Sequence, residues 1–119
     1  MAKHNETGIK GEKIAENFLL NNGYQILARN WRHEKKEVDI IALKDGILVF
    51  VEVKARNRKD FGFPEDAVGL RKQDFLKIAA AAYMDINPAY QKIQFDIVSV
   101  MIDSNGNLLE TLHIQDAFY

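Results

Sequence analysis

Two acidic residues and one lysine stand on adjacent apolar segments that a tight turn would bring together. Residues 38–43 and 47–53 are rich in Val, Ile and Leu, and the dipeptide Asp-Gly lies between the two runs. Asp-Gly between β-rich runs is typical of a two-residue hairpin loop. The register set by that loop puts Asp39 directly opposite Glu52, with Lys54 one pleat further along the same face.

The pairing of Asp39 with Glu52 is unfavourable unless a cation lies between the carboxylates. Directly paired residues hold their Cβ atoms about 4.5–5.5 Å apart, and like charges at that distance destabilise a sheet. Mg²⁺ would resolve the conflict, because it binds one or two carboxylates and leaves its other positions to water or substrate phosphate. Lys54, with Glu37 opposite it, would lie beside those open positions. The spacing therefore favours a site for Mg²⁺, or for Mn²⁺, on the hairpin.

A purely structural role for these charges stays open. Charged residues at strand ends are mostly solvated, and Lys54 could neutralise both carboxylates in an ion-pair cluster. Against this, the neighbouring positions are apolar on both faces, as in strands that are covered on both sides. Because an unpaired buried charge is costly, carboxylates in such strands need either a cation or a basic side chain.

The composition fits one globular domain over residues 1–119 that works in the cytoplasm. Hydrophobic residues make up 47% of the 119-residue chain and charged residues 28%, which is usual for a soluble protein. The absence of cysteine excludes disulfides and cysteine-bound zinc, and it is compatible with a reducing compartment. We expect no membrane attachment, because the first residues lack the apolar core of a signal peptide and no run reaches transmembrane length.

Basic residues concentrate in the amino-terminal part of the chain, although the formal net charge is -1. Residues 1–84 contain 15 Lys and Arg against 12 Asp and Glu, whereas residues 85–119 contain one against five. Lys and Arg flank the hairpin on both sides, and further cations lie at a helix start, where the macrodipole disfavours them. These cations could bind phosphates or simply be solvated. The candidate contacts to nucleic acid are Arg29, Arg32, Arg56, Arg71 and Lys72.

The pattern of apolar residues predicts elements in the order α-β-β-β-α-β-β. Residues 8–22 and 70–84 have helical periodicity, with stop signals at Gly23 and Pro88. Residues 24–31, 93–102 and 108–114 read as strands, in addition to the hairpin. The fold class is therefore α/β, a central mixed sheet of about five strands flanked by helices. The expected buried stripe of the second helix is Phe75, Ile78, Ala79, Ala82 and Tyr83.

Aromatic and acidic residues outside the hairpin are also candidates for function. Trp31 is expected in the core, although its ring could instead stack on a base. The charged and glycine-rich segment 55–69, with Phe61 near its centre, either closes over a ligand or is a plain connection. Asp96 stands in the middle of a strand, where it could pair with a basic neighbour.

Six short motifs are spread in order along nearly the whole chain. They are Gly8-x-x-Gly11-Glu12-x-x-Ala15, Ala28-Arg29-Asn30-Trp31-Arg32, Glu37-Val38-Asp39, Val49-Phe50-Val51-Glu52-Val53-Lys54, Arg71-Lys72-Gln73 and Phe95-Asp96-Ile97-Val98. Together they closely resemble the YraN family of small bacterial proteins. By its motifs that family belongs to the restriction-endonuclease-like PD-(D/E)XK superfamily, whose nearest small members are the archaeal Holliday-junction resolvases. The resemblance implies a mixed central sheet flanked by helices and a Mg²⁺-dependent phosphodiesterase site.

The resemblance implies a role for each candidate residue of the site. Asp39 and Glu52 would bind the metal ion, with the main-chain carbonyl of Val53 as a third ligand. Lys54 would position the attacking water or stabilise the charge that develops on phosphate. The implied catalytic set is completed by two helix residues, which are Glu12, the superfamily's helix-borne acid, and Gln73, at an accessory polar position.

The leading hypothesis is a metal-dependent nuclease that hydrolyses DNA, with branched or recombining DNA as candidate substrates, by in-line attack that leaves a 5′ phosphate. Small enzymes that cut both strands of a junction work as symmetric pairs, so a homodimer is expected by analogy. Two rivals stay open: a nucleic-acid-binding module of the same fold with little or no turnover, and a protein-interaction domain with a structural acidic cluster. The paired carboxylates favour the enzyme, because a mere binder gains nothing from placing them against a phosphate backbone.

Overall fold

A computed structural model describes residues 6–56 and 69–118 of the chain. The elements are α1 (Glu6–Asn21), β1 (Gln25–His33), β2 (Lys36–Lys44), β3 (Ile47–Arg56), α2 (Leu70–Ile86), β4 (Lys92–Ile102) and β5 (Leu108–Phe118). This is the predicted order α-β-β-β-α-β-β, with element ends shifted by a few residues. The centre of the expected ligand-closing loop, including Phe61, lies outside the described residues.

All five strands form one mixed sheet in the order β1-β2-β3-β4-β5. Three neighbouring pairs are antiparallel, and β3 with β4 is the parallel pair. Parallel neighbours cannot be joined by a tight turn, and here the connection from β3 to β4 contains α2. The prediction of a mixed sheet with helices is therefore confirmed. Among the described residues, no helix is both long and apolar enough to cross a membrane.

The two helices cover opposite faces of the sheet. Ala15 and Leu19 of α1 pack in one core cluster with buried residues of β2, β3 and β4. The buried face of α2 packs in a second cluster, which includes Phe50 and Ile97. Gly11 lets α1 lie close to the end of β3, because a Cβ at this position would be 2.6 Å from the Cβ of Ala55. The first turns of α1 are thereby held against the part of the sheet that carries the acidic residues.

The predicted buried stripe of α2 is wrong at two positions. Phe75 and Ile78 are 39% and 47% exposed, and Ala82 is half-buried. Residues 75–83 carry apolar side chains on both sides of the helix, so a period of 3.6 residues fits either set equally well. Tertiary packing selects the other set, in which the buried residues are Leu76, Ala79, Ala80 and Tyr83.

The strict alternation expected along β2 fails at Asp39. Val38 and Ile41 belong to the core cluster under α2, whereas Ile40 belongs to the cluster under α1. Residues 38 and 40 should point to the same face of a regular strand. They point to opposite faces here, so the strand is irregular at the residue between them. The regular alternation of the predicted hairpin, which would place Val38 and Ile40 on one face, is therefore wrong at this point.

Two other predictions about single residues have clear outcomes. Trp31 packs its ring edge-on against Tyr83 of α2, with ring centroids 5.3 Å apart, which confirms the core interpretation. Asp96 is fully buried and pairs with His113 of β5, at 2.7 Å between Oδ2 and Nε2. Its expected partner was a basic neighbour, and this prediction is also confirmed.

Candidate metal centre

The acidic residues lie where the sheet divides. β2 and β3 are paired from Lys44–Ile47 to Ile40–Val51, in the register that the Asp-Gly loop predicts, and their ladder ends there. Beyond this point β2 continues beside β1 as far as His33–Lys36, while β3 continues beside β4 as far as Arg56–Met101. The predicted pairs Asp39–Glu52 and Glu37–Lys54 are therefore not part of the ladder. Instead the two hairpin strands separate and leave a fork.

Asp39 bridges this fork with its side chain. Its Oδ2 accepts a hydrogen bond from the main-chain N–H of Val53, at 2.8 Å. A backbone donor at the end of a ladder must find another acceptor when its strand partner moves away. Asp39 supplies that acceptor, and the local irregularity of β2 allows the side chain to reach β3. The carboxylate is thereby fixed at the start of the Val53-Lys54 segment.

Glu52 is a buried carboxylate with incomplete partners. The residue is 4% exposed. Its Oε2 lies 3.7 Å from Nζ of Lys54 and 3.6 Å from Nζ of Lys72, at ion-pair rather than hydrogen-bond distances. In the part of the chain that the structure describes, Oε1 of Glu52 is the buried side-chain oxygen that has no hydrogen-bond partner. An unsatisfied carboxylate oxygen in a buried position is costly.

The electrostatics link Asp39 to Glu52. Burial, and then the charge of Glu52, raise the pKa of Asp39 from 3.8 to about 8. The hydrogen bond from Val53 and the charge of Lys72 act in the opposite direction, and the charge of Glu12 adds to the increase. The charge of Glu52 therefore opposes the ionisation of Asp39. A divalent cation between them would remove this conflict and give the orphan oxygen a partner.

The donor set fits a hard cation such as Mg²⁺ or Mn²⁺. Among the described residues, no group of three or more His, Cys, Asp or Glu side chains could hold a metal ion. Zinc sites need three or four such ligands. Mg²⁺ binds through one or two carboxylates and keeps several water molecules. Asp39 and Glu52 would therefore suffice, with the carbonyl of Val53 as the further ligand that the sequence suggested.

Glu12 reaches the rim of the fork from α1. Its Oε1 accepts a hydrogen bond of 3.1 Å from Nδ2 of Asn30, a β1 residue with a φ of 48°. Positive φ is uncommon outside glycine, and Asn tolerates it better than most residues. The charge of Glu12 also contributes to the raised pKa of Asp39. Four of the five predicted catalytic residues, namely Glu12, Asp39, Glu52 and Lys54, are thus brought together.

Gln73, the fifth, lies in the first turn of α2 directly after Lys72. It is half-buried, and its main-chain N–H donates to the carbonyl of Gly69 at 2.9 Å. Lys72 was predicted as a phosphate contact, yet it belongs to the acidic cluster through Glu52. The position of Lys72 in the sequence was the signal for an ion pair with an acidic residue. A cation at a helix start is disfavoured by the macrodipole and therefore needs another partner.

The other predicted nucleic-acid contacts are placed around the fork rather than in it. Arg29 forms an ion pair with the buried Glu16 of α1 and holds the pKa of that carboxyl below its usual value. Nε of Arg32 lies 3.1 Å from Oε1 of Glu37, so Glu37 has a different basic neighbour from the predicted Lys54. The last two, Arg56 and Arg71, lie at the end of β3 and in the first turn of α2.

The chain is similar to a set of bacterial proteins along nearly its whole length. Residues 11–100 match the family described as Uncharacterised protein family UPF0102. A UPF0102 protein of Flavobacterium psychrophilum is 44% identical over 119 residues, which cover 100% of this chain and 98% of the relative. One of Bacteroides thetaiotaomicron is 45% identical, with 100% and 97% covered. One of Dictyoglomus thermophilum is 40% identical over 114 residues, with 95% and 97% covered.

Proposed function

The chain belongs to the UPF0102 (YraN) family, and we propose that it is a Mg²⁺- or Mn²⁺-dependent phosphodiesterase that hydrolyses DNA. The main support is the buried Oε1 of Glu52, which lacks a partner among the described residues while Asp39 shares the same fork. Stability alone gives no reason for such an arrangement, because burial and the charge of Glu52 oppose the ionisation of Asp39, and this weakens the fold. A bound cation gives a reason.

The architecture supports a place in the restriction-endonuclease-like PD-(D/E)XK superfamily. Its motif requires an acid on one strand and an acid, any residue and a lysine on the next. Asp39 and the run Glu52-Val53-Lys54 supply this pattern on neighbouring strands of a five-stranded mixed sheet. This assignment, a cytoplasmic location and a symmetric homodimer that cuts both strands are parts of the same proposal.

Each residue of the fork has a role that follows from its position. Asp39, Glu52 and the carbonyl of Val53 would hold the cation, which when bound supplies an acidified water and neutralises charge on phosphate. The ammonium group of Lys54 would orient the attacking water or stabilise the negative charge on the phosphoryl oxygens. Glu12, at the rim, would accept a proton from that water. The water would attack the phosphorus in line with the bond to the 3′ oxygen. That bond would break, the 3′ oxygen would leave, and the phosphate would stay on the 5′ end.

A binding module with little or no turnover is the second candidate, and one observation favours it. Lys54 and Lys72 both approach Oε2 of Glu52, so the cluster is partly neutralised by its own lysines. In that case the two ammonium groups would hold the acid and the surrounding basic residues would bind phosphates. Binding would then persist in chelator and would not depend on Asp39.

Cleavage assays on labelled linear, flapped and four-way-junction DNA test the proposal. We expect product with Mg²⁺ or Mn²⁺ and none with chelator. Asp39→Asn, Glu52→Gln and Lys54→Met should each lower the rate by at least about 100-fold. Glu110→Gln, which alters an exposed acid on β5, is the matched control and should leave the rate unchanged. If no metal-dependent product appears on any substrate, the enzyme proposal is wrong and the binding module takes its place.

A further inference from the structure

Phe75 is an exposed aromatic residue held between two cations. The ring is 39% exposed on the surface of α2. Nζ of Lys36 lies 5.4 Å from its centroid, and Cζ of Arg71 lies 5.7 Å from it. The cations come from different elements, the start of β2 and the first turn of α2. A ring that merely filled the core would be covered by apolar side chains, whereas this one presents a surface framed by positive charge.

The ring lies next to the candidate metal centre. Lys72, whose Nζ is 3.6 Å from Oε2 of Glu52, precedes Phe75 by three residues on the same helix. Side chains three residues apart are neighbours on a helix surface. On the other side, Lys36 pairs with His33 across the β1–β2 turn. The exposed ring therefore flanks the fork, between the acidic cluster and the tip of the β1–β2 hairpin.

We propose that Phe75 is a stacking platform for an unpaired base of the nucleic acid, with Lys36 and Arg71, which lie over the ring in the structure, moving aside to bind the phosphates beside that base. This inference rests on the proposed function and names its substrate class, because a base inside a duplex is stacked on both of its neighbours and has no free face for the ring. Base stacking on one aromatic ring changes affinity by about 5- to 100-fold. Preferred substrates are thus single strands, flaps and junctions with unpaired bases near the scissile phosphate.

The charges around Phe75 favour nucleic acid over a protein partner. Exposed apolar residues continue along α2 to Ile78 and Ile86, which could form a protein contact. Along α2, the described contacts between a cation and an aromatic ring are those of Phe75, at the end of the helix nearest the fork. A polyanion with flat apolar faces matches both features, whereas an apolar protein surface would have to desolvate Lys36 and Arg71.

Fluorescence anisotropy with labelled oligonucleotides in chelator tests the platform without cleavage. The probes are a single strand, a flapped duplex and a blunt duplex of equal length. For Phe75→Leu we expect about 5- to 50-fold weaker binding of the first two and less than about twofold change for the blunt duplex. Ile78→Ala, one turn further on, is the control and should behave like the wild type. An equal loss of affinity for all three probes, or no loss for any of them, would overturn the proposal that Phe75 stacks on a base.

A second variant reports stacking directly. The protein has one tryptophan, Trp31, which packs against Tyr83, so the wild type titrated in parallel supplies the background fluorescence. Phe75→Trp should keep the single-strand affinity, and its added fluorescence should be quenched when the single strand binds. If the added fluorescence does not change on binding, the base does not stack there. If Phe75→Leu instead alters the sedimentation of the protein and not the binding of single strands, the surface is a protein contact and the inference fails.

The two proposals can fail separately. If no metal-dependent cleavage occurs but single-strand binding depends on Phe75, the nuclease proposal is wrong. The stacking role of Phe75 is then supported, in a protein that binds nucleic acid without cutting it. If cleavage occurs and Phe75→Leu leaves the preference for flapped over blunt DNA unchanged, the nuclease stands and the platform is wrong.

Discussion

Two of the buried acidic centres among the described residues are built in opposite ways. Asp96, between β4 and β5, is fully buried and accepts hydrogen bonds from Nε2 of Gln94 at 2.8 Å and the main-chain N–H of Asp116 at 3.0 Å. Nε2 of His113 lies 2.7 Å from its other oxygen. Glu52, at the fork between β2 and β3, is almost as buried and leaves Oε1 without a partner in the described chain.

The difference separates a structural acid from a candidate functional one. This fold provides a complete set of donors where a buried carboxylate only ties two strands together, as Asp96 does. The incomplete set at Glu52 is therefore not a general property of its interior. The same contrast applies to like charges: the described partners of Asp96 are two N–H groups and an imidazole, whereas the charge of Glu52 opposes the ionisation of Asp39. A centre that lacks donors and concentrates negative charge is suited to a cation.

The same isosteric substitution at the two centres should have opposite effects on stability. Asp96→Asn removes the carboxylate charge from a buried position that faces two N–H donors and the imidazole of His113, so we expect the free energy of unfolding to fall by about 3 kcal/mol. Asp39→Asn can still accept from Val53 and removes a repulsion with Glu52. In metal-free buffer we expect no loss, or a gain of about 1 kcal/mol. Urea denaturation of both variants measures this, and equal losses would remove the distinction.

Divalent cations should stabilise the fold through the fork alone. At a Mn²⁺ concentration 100 times its dissociation constant, the wild type should gain about 2.7 kcal/mol of stability. Asp39→Asn and Glu52→Gln should lose this gain, because each removes a carboxylate ligand. Glu110→Gln on β5 should keep it. Thermal melts with MnCl₂ and with chelator measure the gain, and a gain that survives both fork substitutions would place the cation elsewhere.

The acidity of Asp39 sets a pH dependence with a defined sign. Between 3.8 and about 8, the folded protein keeps a proton on Asp39 that the unfolded chain has released. The unfolded state binds fewer protons, so the metal-free stability should fall as pH rises through this window. Mn²⁺ competes with that proton, so its affinity should rise over the same window. Denaturation and Mn²⁺ titrations across this range measure both slopes, and Asp39→Asn should flatten them.

Lys72 should have the smallest effect of the fork residues. Its charge lowers the pKa of Asp39, so Lys72→Met should move the rise in Mn²⁺ affinity to higher pH. Its side chain is 40% exposed, and the change in stability should stay below about 1 kcal/mol. Lys77→Met, further along α2, is the control. An unchanged pH profile would mean that Lys72 does not act on the acidic cluster.

The features that could be predicted from the sequence are those set by neighbours in the chain. The Asp-Gly loop sets five strand pairs of the hairpin, from Lys44–Ile47 to Ile40–Val51, because a two-residue turn fixes the register. The periodicity around Ala15 and Leu19 gives the buried face of α1 correctly. The same register predicts that Asp39 and Glu52 lie near each other, although their strands separate just before this pair. Glu12, Val53 and Gln73 were named from the family resemblance alone.

The features that could not be predicted depend on distant parts of the chain. The fork exists because β3 continues beside β4 while β2 continues beside β1, and no pattern within the hairpin reports those pairings. The exposure of Phe75 depends on which of two apolar faces of α2 packs on the sheet. The His113 partner of Asp96 requires the register of β5, which includes an irregularity and a φ of 52° at Asp116.

An anomalous difference map from a crystal soaked in MnCl₂ tests the central claim most directly. We expect one strong peak within about 2.5 Å of a carboxylate oxygen of both Asp39 and Glu52, with Oε1 of Glu52 among its ligands. The ammonium group of Lys72 should move away from Oε2 of Glu52 as the cation neutralises that acid. A map with no peak at the fork, and with Lys54 and Lys72 still beside Glu52, would contradict the account.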